Sequence, residues 1–349
     1  MTRLFAGMMV LVSLVCPAFA GLDAAAINNA EFKGKLPGDD KINPAIVKAQ
    51  VLLDRASFSP GEIDGKLGEN AQKALKAFVE SKGLAVGKQP LTSEIWDALL
   101  ATGSDPIVVD YKITEKDVKG PFLKKLPAKM EDLKGLNSLD YTSPREAIAE
   151  KFHMSETLLA ALNPGKKFDE AGQTISVVNV APFEIKANSE AKGSEAKGTK
   201  GSDAKPATMR VEVDKTAQTV KLFEGSRLIG FFPATVGSEE KPTPTGTLKV
   251  TSIDANPYYR YNPDYKFKGV KSKEPFTIKP GPNSPVGSYW IGLSAEGYGI
   301  HGTSHPSKVS KAESHGCVRL TNWDADRVAK LLRKGTEVAF IEPEAASKK

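Results

Sequence analysis

A polar stretch near the middle of the chain constrains its folding more than any other feature of the sequence. Residues 186–207 consist almost entirely of Lys, Ala, Gly, Ser and Glu, with repeated Glu-Ala-Lys-Gly units. Such a segment cannot bury enough apolar surface to become ordered, so we predict a flexible linker there. The rest of the chain is too long for one ordinary core. We therefore expect separate domains on the two sides of the linker.

Residues 38–102 carry the signals of three short helices. Asn43-Pro44 is an N-cap followed by proline at the first helical position. The second helix has apolar residues at helical spacing and stops at Gly83, and the third begins at a Thr92 cap. This pattern predicts a small three-helix domain.

Residues 107–181 predict a strand, two helices and a closing strand. The sequence is rich in β-branched residues at 107–113 and again at 173–180. A capping box begins at Ser143, and Ser155 caps a second helix. We expect His153, between the two helices, to lie on the surface. The region is predicted to be a βααβ module.

After the linker the apolar residues alternate with polar ones, as they do in β-strands. Short strands are predicted at residues 209–213, 219–223, 227–235, 247–252, 289–293, 299–301 and 337–341, with one helix at 322–334. Short strands separated by Gly and Pro indicate a β-sandwich or barrel over residues 208–341. Residues 342–349 form a charged tail. The predicted fold class is multidomain α+β.

The first twenty residues have the composition of a signal peptide. Arg3 precedes an apolar run at residues 4–15 that is too short to span a membrane, and Ala18-Phe19-Ala20 is a cleavage site. We expect export to the periplasm or cell wall, with no transmembrane segment after cleavage. The net charge of +6 would ordinarily indicate nucleic acid. Export argues instead for anionic envelope polymers as binding partners. Alternatively, the excess of lysine only makes the surface more soluble.

Cleavage would remove Cys16 and leave Cys317 as the single cysteine. A lone thiol in an oxidising compartment cannot form an internal disulfide, which favours a reactive group. His301, His315 and Gly316 lie within the same short stretch. A histidine base and backbone amides are what a cysteine nucleophile needs. Zinc is the weaker alternative, because Gly302 and Pro306 disfavour the helix that would align His301 with His305.

These residues resemble the L,D-transpeptidases of bacterial cell walls with a YkuD-type catalytic domain. The resemblance rests on His301-Gly302 and on Ser314-His315-Gly316-Cys317-Val318-Arg319. Residues 38–102 resemble a peptidoglycan-binding three-helix domain through Ile63-Asp64-Gly65 and Phe78, although Val79 replaces the usual glutamine. Residues 107–181 resemble a LysM sugar-binding module, without its usual Gly-Asp-Thr.

The resemblance implies roles for the site residues. It implies that Cys317 is the nucleophile, that His301 is its base and that the Gly302 carbonyl orients the imidazole. It places the oxyanion on the Gly316 and Cys317 amides, with His315 on the same side. The predicted substrate-binding residues are Arg319, Ser314, Tyr289, Trp290 and Tyr298. No cofactor and no metal are predicted.

The implied reaction transfers the acyl part of a peptidoglycan stem tetrapeptide to an amine and releases D-alanine. The acceptor is left open: an amine of a neighbouring stem would give a cross-link, a lipoprotein lysine would give protein attachment, and water would give carboxypeptidase activity. A wall-amide hydrolase on the same fold and a non-catalytic peptidoglycan-binding scaffold remain as alternatives.

Overall fold

The computed structural model describes most of the chain outside its ends and its linker. The described residues are 22–35, 41–183, 209–238, 241–265, 269–312, 314 and 316–342. The predicted signal peptide, the predicted linker, residues 343–349 of the tail and His315 lie outside the described residues. No helix within the described ranges is both long and apolar enough to cross a membrane.

In the described residues of the front part, four helices come first. They are α1 (Ala24–Asn28), α2 (Pro44–Arg55), α3 (Glu69–Ser81) and α4 (Ser93–Leu100). The three predicted helices are confirmed, and the predicted caps form: the Asn43 side chain accepts from two amides of α2, and Thr92 accepts from Ile95. Helix α1 was not predicted. Its Asn28 side chain accepts hydrogen bonds from the backbone amides of Ile107 and Val108.

The next elements form the predicted βααβ arrangement with an insertion. They are β1 (Val108–Lys112), α5 (Glu115–Lys119), α6 (Met130–Leu133), α7 (Pro144–Lys151), α8 (Glu156–Leu162) and β2 (Thr174–Val178). Strands β1 and β2 pair antiparallel. The insertion segment, residues 114–142, lies between β1 and α7 and carries α5 and α6. This insertion separates β1 from the helix pair α7 and α8 in the sequence.

The back part is one curled sheet of eight strands with a hairpin and a helix. Its elements are β3 (Met209–Asp214), β4 (Thr219–Glu224), β5 (Arg227–Pro233), β6 (Gly246–Ala255), β7 (Tyr259–Tyr261), β8 (Phe276–Ile278), β9 (Tyr289–Leu293), β10 (Gly299–His301), β11 (Val318–Arg319), α9 (Asn322–Leu331) and β12 (Glu337–Ile341). The strand order is β11-β10-β9-β6-β12-β3-β4-β5, and β7 pairs with β8 alone. An irregularity between Val250 and Ser252 shifts the register of β6 against β9. The expected sandwich or barrel is thus a single sheet that curls over its own core.

The front and back parts pack against each other. The two front modules share one apolar core, and Phe231 of β5 belongs to that core. Phe58 pairs with Phe231 across the junction. Phe183, just before the undescribed linker, is buried in the core of the back part. The modules are therefore not held by the linker alone, which differs from the tethered arrangement expected from the sequence.

A buried ionic cluster crosses this junction. Asp54 of α2 accepts from Arg327 of α9 at 3.0 Å and contacts His153 Nδ1 at 3.0 Å. The His153 ring stacks on Trp323, with centroids 5.2 Å apart. The expectation that His153 lies on the surface is wrong: the side chain is 2% exposed. Sequence spacing placed it between helices but could not show that α9 covers it.

Replacing Arg327 with methionine should weaken the junction strongly. Burial raises the pKa of Asp54, but Arg327 and His153 more than offset that effect and hold it well below its usual range. Without Arg327 the buried carboxylate loses its main partner, which costs about 3–5 kcal/mol. Urea unfolding at pH 7 would measure the loss, with the exposed Arg333→Met as the matched control. Since the pKa of Asp54 is depressed, the difference between R327M and the parent should shrink as the pH falls below about 4. Equal midpoints for R327M and R333M would contradict the role of this ion pair.

Candidate active site

Two adjacent parallel strands bring the predicted nucleophile and base to one face of the sheet. In the β10–β11 pair, Ile300 lies opposite Val318 and His301 opposite Arg319. Ile300 and Val318 point into the core. Because side chains alternate along a strand, His301, Arg319 and the residue before Val318, Cys317, share the opposite face. All three line one cavity of about 850 Å³.

His301 is held as a neutral imidazole. Its Nδ1 lies 2.7 Å from the Gly302 carbonyl oxygen. A carbonyl can only accept, so Nδ1 carries the proton and Nε2 keeps a lone pair. Burial and the nearby Arg319 together lower the pKa of His301 to about 3, although the hydrogen bond to the Gly302 carbonyl acts in the opposite direction. The ring also stacks against Trp290, with centroids 5.6 Å apart.

Cys317 is a thiol in the resting site. Burial raises the pKa of the Cys317 thiol, and the opposing effects of a Gly299 backbone contact, Arg319 and Lys241 do not fully offset it. The Sγ atom contacts the Gly297 carbonyl at 3.6 Å. A neutral thiol and a neutral imidazole therefore line the same cavity. Lys241, which the sequence analysis missed, contributes positive charge next to the sulfur.

The loop before Cys317 is shaped by Ser314 and Gly316. The Ser314 hydroxyl donates to the Cys317 carbonyl at 2.5 Å and accepts from the Gly316 amide at 3.2 Å. Gly316 has a φ of 101°, and a Cβ there would lie 2.8 Å from the Tyr298 ring. Ser314 is buried and holds the loop, so its placement differs from the predicted substrate contact. The Gly316 amide is likewise engaged by Ser314, and not directed at an oxyanion.

Of the three aromatic residues predicted to bind substrate, two line the cavity that contains Cys317 and one lies in the core of the back part. Trp290 and Tyr298 line the cavity. Tyr289 points the other way, into the core of the back part, where its hydroxyl bonds Asp326. Burial and that bond both raise the pKa of Tyr289. The alternation along β9 explains why neighbours face opposite sides.

Asn322, at the start of α9, supports the turn that carries the Gly302 carbonyl. Its Nδ2 donates to Glu150 of α7 at 3.0 Å, and its Oδ1 accepts from the Ser288 amide at 3.0 Å. A Cβ on Gly302 or Gly287 would collide with Asn322 Oδ1. Glu150 of the front part is thus connected through Asn322 to the turn that follows His301. Sequence reasoning missed this residue because its partners lie in three distant segments.

Replacing Asn322 with alanine should slow catalysis more than its structural cost explains. The turn that orients His301 would lose its packing partner. A displaced His301 should lower kcat by roughly 10–100-fold. Steady-state kinetics on a soluble stem peptide would measure this, with thermal unfolding in parallel. The matched control is Asn163→Ala, since Asn163 is equally buried and makes three hydrogen bonds within the βααβ module. Equal activity of the two variants would contradict a positioning role.

The zinc alternative has no geometric support in the described part of the chain. His301 lines the cavity that also contains Cys317, whereas His305 lines a different cavity and contacts Ser304 at 2.8 Å. Among the described residues, which omit His315, no three His, Cys, Asp or Glu side chains gather as metal ligands would.

Comparison with known proteins identifies the back part. Residues 208–339 match the model of the YkuD family, described as the L,D-transpeptidase catalytic domain. This part of the chain is a YkuD-type L,D-transpeptidase domain. The match covers both strands of the site, the whole of the packing helix α9 and the curled sheet except the last two residues of β12. Within this YkuD domain, the segment from His301 to Arg319 holds the residues on which the resemblance was based.

Relatives of the YkuD domain occur in distant bacteria. The YkuD protein of Bacillus licheniformis is 29% identical over 197 residues, covering 56% of this chain and 92% of that protein. The YkuD protein of Bacillus subtilis is 30% identical over 130 residues, covering 37% of this chain and 64% of that protein. The YbiS protein of Escherichia coli is 31% identical over 124 residues, covering 34% of this chain and 40% of that protein. All three carry L,D-transpeptidase names.

Solved structures were also found. The crystal structure of L,D-transpeptidase 3 from Mycobacterium tuberculosis aligns with a TM-score of 0.32 and 18% identity, covering 39% of this chain and 62% of that one.

Proposed function

We propose that the protein is an exported L,D-transpeptidase that acts on peptidoglycan stem tetrapeptides through an acyl-enzyme on Cys317. The observation that carries the proposal is the placing of the Cys317 thiol and a neutral, lone-pair-bearing His301 on one 850 Å³ cavity. The YkuD match of residues 208–339 supports the same reaction class.

The first half-reaction forms a thioester. His301 Nε2 takes the thiol proton as Sγ attacks the carbonyl of the third residue of the stem, at the L-centre of diaminopimelate. The C–S bond forms and the C–N bond to the terminal D-alanine breaks, and the alanine amine leaves with the proton from His301. The Cys317 backbone amide is the proposed oxyanion donor, and Arg319 supplies positive charge on the same face.

The second half-reaction passes the acyl group to an amine. His301 removes a proton from the attacking amine, the amide C–N bond forms, and the sulfur leaves and regains a proton. Water as acceptor would give an L,D-carboxypeptidase, and a lipoprotein lysine would give protein attachment. We further propose that the three-helix and βααβ modules bind the glycan and hold the wall near the site.

Mass spectrometry of the intact mature protein tests the proposal. A disaccharide tetrapeptide should add the mass of the acyl group, without D-alanine, to the protein, and a hydroxylamine quench should remove it. With excess donor, dimers should appear among the soluble products. Monomeric products alone would favour the hydrolase, and an unmodified protein that still binds isolated sacculi would favour the scaffold.

A further inference from the structure

Glu150 is a buried carboxyl that the βααβ module places against the YkuD domain. It lies in α7, outside the residues that match the family, and is 4% exposed. Its Oε2 accepts from Asn322 Nδ2 at 3.0 Å and from the Tyr141 hydroxyl at 3.3 Å. The junction between the two parts thus contains a titratable group that bonds directly to a residue of the packing helix α9.

The side chain of Asn322 has a fixed orientation. One N–H of Nδ2 points to Glu150, and the other donates to the Pro282 carbonyl at 3.1 Å. Its Oδ1 accepts from the Ser288 amide at 3.0 Å. A flipped amide would put its N–H groups against the Ser288 N–H, so the three partners permit one orientation only. Movement of Glu150 therefore moves the Asn322 amide or breaks a hydrogen bond.

Asn322 connects this contact to the imidazole. A Cβ on Gly302 would collide with Asn322 Oδ1, so the Gly302 backbone lies directly against that oxygen. The Gly302 carbonyl in turn accepts from His301 Nδ1 at 2.7 Å. Three successive contacts thus join Glu150 to His301, and each of them is buried.

The surroundings of Glu150 favour a neutral carboxyl. Burial raises the pKa of Glu150 to about 8, and the nearby carboxyls of Glu146 and Glu62 also raise it, while the hydrogen bonds from Asn322 and Tyr141 act in the opposite direction. Burial raises the pKa of Tyr141 as well, which keeps its hydroxyl a donor. Glu150 is thus mostly protonated at pH 7 in the folded protein.

Other charged side chains on α7 and on the helices around it are engaged in ion pairs of their own. These pairs are Lys151 with Asp117 of α5, Arg145 with Glu156 of α8, and Arg327 of α9 with Asp54 of α2. The two carboxyls Glu146 and Glu62 are therefore the charged groups that face Glu150. Both would repel a negative charge there.

We propose that Glu150 is a positioning residue for His301, supplied to the YkuD domain by the βααβ module, and that it acts as a neutral carboxylic acid. The inference rests on the proposed function, because His301 is the base of that reaction. A neutral Glu150 accepts from Asn322 without an unpaired buried charge. Ionisation would add a negative charge beside Glu146 and Glu62, which pushes α7 away from α9 and loosens the Asn322 contact.

Glu150→Gln and Glu150→Ala separate the hydrogen bond from the charge. Glutamine keeps an acceptor for Asn322, so single-turnover acylation at pH 7 should stay within about twofold of the parent. Alanine removes that acceptor, and the rate should fall roughly 5–30-fold. The KM for the donor should not change in either variant, because Glu150 is not among the described residues that line the cavity of Cys317.

The ratio of the parent rate to the E150Q rate isolates the ionisation of Glu150. Effects of pH on Cys317 and His301 are common to both proteins and cancel. The ratio should be constant up to about pH 7 and fall roughly three- to tenfold by pH 9.5, since only the parent ionises at position 150. A ratio that stays constant to pH 10 would show that the neutral form is not required.

The stability of the same two proteins has an expected sign. The folded state keeps the Glu150 proton up to about pH 8, whereas the unfolded chain loses it near the ordinary pKa of 4.5. The free energy of unfolding of the parent should therefore fall relative to that of E150Q between about pH 4.5 and 8, and the difference should be constant above pH 8. Urea unfolding at pH 5, 7 and 9 would measure it.

Two controls and a signal that needs no substrate complete the test. Glu156→Gln removes a carboxylate from a half-exposed ion pair on α8, and Asn163→Ala destabilises the same module. The Nδ1–H proton resonance of His301 should move upfield and exchange faster with water in E150A, but not in E156Q or N163A. If E150A does not fold, the pH dependence for E150Q still decides the question.

An unchanged His301 resonance together with parent-like acylation in E150A would overturn the positioning role. An equal loss of activity in N163A and E150A would attribute the effect to general destabilisation and would also overturn it. A shifted resonance in E150A combined with a parent protein that forms no thioester would refute the proposed function and leave the contact from Glu150 to His301 in place.

Discussion

Replacing Cys317 with alanine is expected to abolish the acyl adduct and all release of D-alanine. The alanine variant removes the only thiol among the described residues that line the cavity shared by His301 and Arg319. Without a nucleophile neither half-reaction can begin, and residual rates should lie at least 10⁴-fold below the parent. Intact mass and D-alanine release on the same sample would measure both effects.

A second variant at the same position tests whether the effect comes from loss of the thiol. Cys317→Ser replaces the thiol with a hydroxyl and should also fail to form a stable adduct, because serine is a far weaker nucleophile near neutral pH. Both variants should melt close to the parent, since the Cys317 side chain is not part of an apolar core. D-Alanine release by C317A at more than a hundredth of the parent rate would place the nucleophile elsewhere.

Replacing His301 with glutamine should lower the acylation rate by roughly 10²–10⁴-fold at pH 7. Glutamine can still meet the Gly302 carbonyl but cannot take the thiol proton. The deficit should shrink as the pH rises toward the pKa of the Cys317 thiol, because hydroxide then forms the thiolate without His301. Burial raises that pKa, so the recovery should come at high pH. Since the pKa of His301 is lowered to about 3, the parent rate should show no inflection from this imidazole near pH 6.5.

Single-turnover acylation between pH 5 and 10 would check this prediction. Asn163→Ala again serves as a control for general destabilisation, and its profile should follow that of the parent. A deficit in H301Q that stays constant up to pH 10 would mean that His301 does not act as the base for Cys317.

Local signals in the sequence predicted most of the regular elements. Caps such as Asn43 and Ser155 form hydrogen bonds with the first turn, so a residue type and its next few neighbours were enough. Strand alternation located β3 to β6 and β9 for the same reason. The β7–β8 hairpin was not predicted, because each of its strands is three residues long, which is too short for a period to appear. Strand β10 is equally short but ends at His301, which the motif had already marked.

The parts of the site that were missed depend on contacts between distant residues. Tyr289 and Trp290 are adjacent aromatic residues, and only the pairing of β9 decides which of them faces the cavity. Asn322 gains its role from Glu150, a residue of the front part more than a hundred positions earlier. The motif around Cys317 indicated chemistry, but no motif could show that the insertion segment lines the cavity that contains His305.

The shared core across the junction has a consequence for how this enzyme can be dissected. A fragment that starts at residue 208 would expose Phe231 to water and leave the Asn322 amide without Glu150. It would also lack Leu126, Met130 and Leu133, which line the cavity that contains His305. The catalytic unit in a physical sense is therefore longer than the unit recognised by similarity. Replacing the front modules would therefore change the contacts around the candidate site as well as the packing at the junction.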